Sequence, residues 1–185
     1  MNRISLYLPF VDAQTSKQIS DSFRSSDLIE NICWIALEKG ILPENEKVIV
    51  VEEYLSSATM RGISSSVETD YFLFSPTTKK IAVGYFAIER IIQVAESTGA
   101  ALVYSDYLEL QNGKTQQHSL IDRQLGSIRD DFDLGSLMLI KKKIFCDAVK
   151  SLTQNFKYAG WYDVTLRLSE LGALIRIPEF LYTSS

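Results

Sequence analysis

Apolar runs of strand length alternate along this chain with segments whose apolar residues recur at helical spacing. The β-branched run 47–51 is typical of a buried parallel strand. Ile88, Ile92 and Ala95 are spaced as on one face of an amphipathic helix. This alternation predicts an α/β fold with a doubly wound, mostly parallel, Rossmann-like sheet and helices on both faces. The predicted strands are 4–8, 32–37, 47–51, 70–74, 100–104, 135–140 and 174–178, and the predicted helices are 15–24, 83–95, 144–152 and 161–171.

The length and composition of the chain favour one globular domain over residues 1–185. Of the 185 residues, 46% are hydrophobic and 23% are charged, so the chain can bury a core of its own. The net charge is −4, and no basic run is longer than 141–143. Nucleic acid is therefore excluded as an expected partner.

Cys33, Cys146 and the single histidine, His118, are spaced in a way that fits no zinc site. No apolar run approaches the ~20 residues of a membrane helix, and the apolar stretch near the start is too short for a secretion signal. We therefore expect a cytoplasmic protein without a transmembrane segment and with reduced thiols. The oligomeric state cannot be read from these residues.

Polar residues follow several of the predicted strands. In a parallel sheet, ligands bind beyond the carboxyl ends of the strands. The residues expected to bound such a site are Asp12, Glu52, Glu53, Ser75, Thr77, Ser105 and Asp106.

The segment 116–133 has little periodicity, and we expect a long ordered loop of the kind that often carries function. Its end reads Arg129, Asp130, Asp131, Phe132, Asp133. Two interpretations stay open for these charges. The carboxylates could bind a cation or supply a base, or they could form a solvated acidic loop that Arg129 ties to its neighbours. The same choice applies to His118, which is either a base in a loop or incidental.

Two common functions of doubly wound sheets are disfavoured. No Gly-x-Gly-x-x-Gly follows the first predicted strand, which argues against a dinucleotide-dependent oxidoreductase. No Gly-x-Ser-x-Gly is present, which argues against a serine hydrolase of the α/β type.

The C-terminal part of the chain resembles the end of the catalytic domain in family 2 glycosyltransferases. Residues 160–172 read GWYDVTLRLSELG, and residues 175–182 read IRIPEFLY. That family shows an acidic pair, an aspartate and leucine, a helix with Leu-Arg-Leu, a glycine, a strand and Pro-Glu-x-Leu-Tyr. Residues 135–142 resemble the strand before the acceptor-side helix. Residues 48–53 resemble the strand that carries Val-Asp-Asp-Gly-Ser.

The resemblance implies a GT-A fold, with a nucleotide-binding half over 1–110 and an acceptor-side half over 111–185. It implies transfer of a sugar from a nucleotide-diphosphate donor to a glycan or lipid-linked acceptor, as in polysaccharide biosynthesis. In such enzymes an Asp-x-Asp binds Mg²⁺ or Mn²⁺, which neutralises the leaving diphosphate. A second carboxylate acts as the general base.

Both acidic features are replaced in this chain. The position of the metal motif reads Ser75, Pro76, Thr77, and the acidic pair reads Gly160, Trp161. Hydroxyl groups hold a divalent cation weakly, and neither glycine nor tryptophan accepts a proton.

The candidate site residues fall into three groups. The catalytic candidates are Asp131, Asp133 and Asp163, of which Asp131 and Asp133 are also possible ligands of Mg²⁺ or Mn²⁺. The nucleotide-binding candidates are Glu52, Glu53, Ser75, Thr77 and Asp106. The acceptor-side candidates are Arg129, Asp130 and Trp161.

Two functions follow from this altered pattern. The chain could be a glycosyltransferase that works with a changed site. It could also be a non-catalytic binding or scaffold module that kept the fold, because fold alone does not determine function.

Overall fold

The computed structural model describes residues 3–38, 46–124 and 132–185. These residues form nine strands in one sheet and five α-helices. The strands are β1 (Ile4–Pro9), β2 (Ile29–Leu37), β3 (Lys47–Val51), β4 (Tyr71–Phe74), β5 (Ile81–Val83), β6 (Leu102–Gln111), β7 (Lys114–His118), β8 (Met138–Lys141) and β9 (Leu174–Ser184). The helices are α1 (Ala13–Phe23), α2 (Ser57–Ser66), α3 (Ala87–Thr98), α4 (Lys142–Lys150) and α5 (Gly160–Leu171).

The sheet has the strand order β3-β2-β1-β4-β8-β6-β9-β5, and β7 pairs with β6. The pairs β3-β2, β2-β1, β1-β4 and β6-β9 are parallel. Strand β8 lies antiparallel between β4 and β6. The predicted mostly parallel α/β sheet is confirmed, and the antiparallel insertion of β8 is a feature that the strand pattern did not predict.

Helices cover both faces of the sheet. Phe72 and Leu73 are successive residues of β4, so their side chains point to opposite faces, and both are fully buried. The Phe72 ring packs edge-on against Phe145 of α4, with ring centroids 5.0 Å apart. Helices α2, α4 and α5 contact one another, whereas α3 contacts β6, β8 and β9.

One local difference from the predicted elements has a clear cause. The helix predicted from residue 83 begins at Ala87, because Ile81–Val83 pairs with β9 as a short strand and the Gly84 amide donates to the Leu181 carbonyl at 2.8 Å. A turn at Asn112 and Gly113 joins β6 to β7. Both turn residues have positive φ, 51° and 73°, as a two-residue hairpin requires.

The hydroxyl of Ser56 caps the N-terminus of α2. Its Oγ accepts the Thr59 amide at 3.1 Å, and Thr59 Oγ1 donates to the Glu53 carbonyl at 2.6 Å. Both hydroxyls are buried, so water cannot take over their hydrogen bonds unless the structure rearranges.

Replacing Ser56 by alanine should lower the free energy of unfolding by about 1 kcal/mol, because a buried helix amide loses its acceptor. Urea denaturation measures the loss. Ser65→Ala, on an exposed hydroxyl of the same helix, serves as the control and should change stability less. Equal effects of the two substitutions would contradict a capping role for Ser56.

Within the described ranges, no helix is both long enough and apolar enough to cross a membrane.

Candidate functional site

A cavity of about 300 Å³ opens where the end of β4, the segment 132–135 and the N-terminus of α5 meet. Aromatic rings form much of its wall, and Asp133 is the one carboxylate among the described lining residues. The residues that line it are Leu55, Pro76, Phe132, Asp133, Leu134, Gly135, Met138, Tyr158, Trp161, Tyr162 and Thr165. Two of the sequence-predicted site residues, Asp133 and Trp161, lie together in its wall.

The end of β4 contributes Pro76 to the cavity, but the predicted ligands beside it point elsewhere. Ser75 is fully buried, and its hydroxyl donates to the Thr77 carbonyl at 3.0 Å. Its amide donates to the Tyr7 carbonyl at 3.1 Å. The hydroxyl of Thr77 accepts the Lys79 amide at 3.2 Å. The two hydroxyls thus serve the local turn.

The N-terminus of α5 supplies an aromatic wall at the position where the resemblance expects an acidic pair. Trp161 packs against Phe74 with ring centroids 4.9 Å apart, and it lines the cavity. Gly160 lies against the start of α2, so closely that a Cβ on it would be 2.2 Å from the Ser57 amide nitrogen. No side chain can be added there without moving backbone.

Asp163 lies one turn into α5 and is not among the residues that line the cavity. Its carboxylate pairs with Arg167 one helical turn later, at 3.2 Å, and only 18% of the Asp163 side chain is exposed. Arg167 also donates to the Ser151 hydroxyl at 3.0 Å. Asp163 therefore pairs within α5, and its partner Arg167 joins α5 to the end of α4.

Asp133 lies at the mouth of the cavity and is held by two partners. Its Oδ1 accepts the Gly135 amide at 2.7 Å, and its Oδ2 lies 3.0 Å from Nε2 of His118. The carboxylate keeps 49% of its side-chain surface exposed, so it can still meet a ligand. The related candidates Arg129, Asp130 and Asp131 lie outside the described residues.

Asp106 forms a buried ion pair with Arg176. Both carboxylate oxygens accept from the guanidinium at 2.7 Å, and Oδ1 also accepts the Leu120 amide at 2.9 Å. Burial by itself would raise the pKa of Asp106, but the hydrogen bonds and charge of Arg176, together with the Leu120 amide, outweigh it and lower the pKa below its usual value. The carboxylate is fully engaged within the protein.

Glu52 and Glu53 lie apart from the cavity. They follow β3, the edge strand, which is separated from β4 by β2 and β1. They line a second depression of about 500 Å³, in which Lys157 Nζ is 3.7 Å from Glu53. The predicted nucleotide-binding residues are thus divided between the turn after β4, a depression at the sheet edge and a buried ion pair.

The described residues do not by themselves fit a Mg²⁺ or Mn²⁺ ion. Among them there is no group of three or more histidine, cysteine or acidic side chains that could hold a metal. Asp133 is a single carboxylate with both oxygens already accepting bonds. A metal site there would need ligands from outside the described ranges.

His118 lies at the site, although the sequence left open whether it has any role there. A signal for it was available, because a two-residue turn at Asn112 and Gly113 pairs position 107 with 118, and Tyr107 does lie opposite His118. The ring of His118 stacks on Tyr107 with centroids 4.5 Å apart. The contact with Asp133 could not be anticipated in this way, because it depends on how the segment 132–135 returns to the sheet.

Comparison with solved structures identifies the type of fold. No protein-family model and no curated protein matches the sequence. The chain has the fold of a GT-A-type glycosyltransferase, which confirms the predicted resemblance at the level of architecture.

Among solved structures, the chain is similar to TarS 1–349 of S. aureus, with a TM-score of 0.71 at 11% sequence identity. The match covers 99% of this chain and 60% of that one. It is also similar to TarS 1–349 in complex with UDP-GlcNAc, with a TM-score of 0.67 at 12% identity over 98% of this chain and 58% of that one. The chain therefore spans about three fifths of the TarS structures that it matches.

Proposed function

We propose that this chain is a glycosyltransferase domain that binds the sugar of a nucleotide-diphosphate donor in the aromatic cavity and transfers it with Asp133 as the base. The observation that carries the proposal is one carboxylate facing a cavity walled by aromatic rings. The GT-A-type fold supports it, as does the similar TarS structure in complex with UDP-GlcNAc.

The size and lining of the cavity suit a sugar. Small-molecule pockets span roughly 300–1,000 Å³, and this cavity of about 300 Å³ lies at the small end of that range. It therefore suits the sugar better than a whole nucleotide sugar. The aromatic faces of Trp161, Tyr158 and Tyr162 can pack on the apolar C–H face of a pyranose, while the polar edges bind its hydroxyls. The nucleotide would extend over the carboxyl ends of the neighbouring parallel strands.

The proposed reaction needs one carboxylate, which accepts one proton. The acceptor hydroxyl oxygen forms a bond to the anomeric carbon as the bond from that carbon to the phosphate oxygen breaks. The electron pair of the broken bond leaves on the diphosphate, and the hydroxyl proton passes to Asp133. A positioned base of this kind contributes about 10²- to 10⁴-fold to the rate.

Tryptophan fluorescence tests the binding part of this proposal. The chain has two tryptophans, the cavity residue Trp161 and the core residue Trp34, which is 3% exposed. In Trp34→Phe the remaining tryptophan reports on the cavity, and UDP-GlcNAc should change its emission. In Trp161→Phe the emission of Trp34 should stay constant. A change that persists in Trp161→Phe and is absent in Trp34→Phe would place the donor elsewhere.

Asp133→Asn tests the chemical part. UDP release from UDP-GlcNAc, with and without Mn²⁺, should fall about 10²- to 10⁴-fold while the affinity for the donor changes little. Asp163→Asn is the matched control and should retain turnover, because Asp163 faces Arg167 instead of the cavity. Equal losses in the two variants would remove Asp133 from the role of base.

A second function, a non-catalytic sugar-binding module, is favoured by one specific observation. The positions expected to carry carboxylates hold Ser75, which is buried, and Gly160, which has no room for a side chain. This alternative predicts a fluorescence response to donor or glycan without any UDP release. The two assays together separate it from the transferase.

A further inference from the structure

We infer that His118 is a positioning residue that holds the Asp133 carboxylate toward the cavity. The inference rests on the proposed function for its catalytic consequence, but the contact itself can be tested without turnover. It is carried by three observations: the bond to Asp133, the ring stack behind His118, and the way that stack attaches to the segment 133–136.

The bond between the two side chains leaves the carboxylate little freedom. Nε2 of His118 lies 3.0 Å from Asp133 Oδ2, and the Gly135 amide donates to Oδ1 at 2.7 Å. With a donor on each oxygen, the plane of the carboxylate is set by two points. An exposed aspartate without such partners would sample several rotamers.

The imidazole is itself held by a column of rings. His118 stacks on Tyr107 with centroids 4.5 Å apart, and Tyr107 stacks on Tyr182 at 5.2 Å and 8° between planes. Burial, with smaller contributions from Asp133 and Glu109, raises the pKa of Tyr107 to about 12, so this phenol stays neutral at ordinary pH. The middle of the column is therefore a packed aromatic contact on the sheet.

The stack of His118, Tyr107 and Tyr182 contacts the segment 133–136 at both of its ends. His118 meets Asp133, and the Tyr182 hydroxyl accepts the Ser136 amide at 2.7 Å. Gly135 between them has φ of 80°, and a Cβ on it would be 2.5 Å from the Tyr182 hydroxyl. The backbone of the segment 133–136 therefore packs directly against the stacked rings. Asp133 takes its direction from residues on β6, β7 and β9.

The strand end that carries His118 is anchored in turn. The amide of Leu120 donates to Asp106 at 2.9 Å, and Asp106 is held by Arg176. The buried ion pair therefore fixes the chain two residues beyond His118. Asp106 therefore acts on the site by holding the chain next to His118, and it does not contact the ligand itself.

Nuclear magnetic resonance can test the contact directly, because His118 is the only histidine and its imidazole gives one set of ¹⁵N signals. In the wild type, Nε2 should carry the proton that it donates to Asp133. Asp133→Asn should shift the Nε2 and Hε2 signals, whereas Asp163→Asn should leave them in place. Unchanged imidazole signals in Asp133→Asn would overturn the inference, whatever the activity.

The catalytic consequence is tested by His118→Ala and His118→Gln. The alanine variant should lower kcat for donor turnover roughly 10- to 100-fold with KM for the donor unchanged, since only the direction of the base is lost. Glutamine can place an N–H near Nε2 and should recover most of that loss. A kcat within twofold of the wild type for His118→Ala, or no recovery with glutamine, would overturn it. Absence of turnover in the wild type would instead refute the proposed transferase, and the imidazole signals alone would then decide the contact.

Discussion

Replacing Arg176 by methionine should lower the free energy of unfolding by about 3 kcal/mol, because it leaves the Asp106 carboxylate buried without its charge partner. Only 4% of the Asp106 side chain is exposed, and two bonds of 2.7 Å join it to the guanidinium. The Leu120 amide would be the one remaining donor to that carboxylate among the described contacts. Urea denaturation at pH 7 measures the change.

The double variant Asp106→Asn, Arg176→Met isolates the cause. It removes both charges and keeps an amide oxygen for Leu120, so it should be more stable than Arg176→Met alone. Arg90→Met is the matched control, because the Arg90 pair with Glu179 has the same 2.7 Å distance but both side chains are more than 40% exposed. It should have little effect. A double variant no more stable than Arg176→Met would contradict the explanation from an unpaired buried charge.

The same ion pair sets a pH dependence with a definite sign. The folded-state pKa of Asp106 lies below its ordinary value of 3.8. The contribution of the pair is therefore fully present above the unfolded pKa and is lost as pH falls below about 3.8 and through the folded pKa. The difference in unfolding free energy between the wild type and Asp106→Asn should shrink over that range. A constant difference from pH 7 to pH 2 would contradict the lowered pKa.

Replacing Gly160 by alanine should also be costly, by about 3 kcal/mol, because the new methyl group would meet backbone. Its Cβ would be 2.2 Å from the Ser57 nitrogen and 2.3 Å from the Ser56 carbonyl carbon. The two helix N-termini would have to separate, and Trp161 would move with α5. We therefore expect weaker donor binding together with the loss of stability, measured by fluorescence titration and urea denaturation.

Gly62→Ala is the control for this substitution. Gly62 also lies in a helix, α2, but its Cβ would meet a side chain, the Cγ2 methyl group of Ile49 at 2.9 Å, instead of backbone. Alanine is favoured over glycine within a helix by up to about 1 kcal/mol, which offsets part of the cost of this contact, so this variant should lose less stability than Gly160→Ala. Similar losses in the two alanine variants would contradict the close approach at Gly160.

Most of the strands and helices follow from local patterns in the sequence, although α2, β5 and β7 are not among the predicted elements. The run 47–51 and the apolar stripe through Ile88 and Ile92 each report on their own segment, since strand and helix periodicities repeat within a few residues. The turn at Asn112 and Gly113 is local in the same sense. The direction of β8 is not, because a four-residue apolar strand packs equally well either way and only the return of the chain decides it.

The candidate site shows the same division. The sequence by itself determined which residues stand where the family resemblance expects carboxylates, namely Ser75 to Thr77 and Gly160 and Trp161, because residue identity is read directly from the sequence. The sequence also provides Asp133 as a carboxylate that could act as a base.

Only the tertiary structure decided what the remaining charged residues do. It pairs Asp106 with Arg176 across 70 residues, keeps Glu53 at a distant sheet edge, and brings His118 to Asp133. The physical reason is that these contacts join residues from separate elements of the fold, and their strength depends on burial and on distances of about 3 Å. Neither quantity is present in a local pattern.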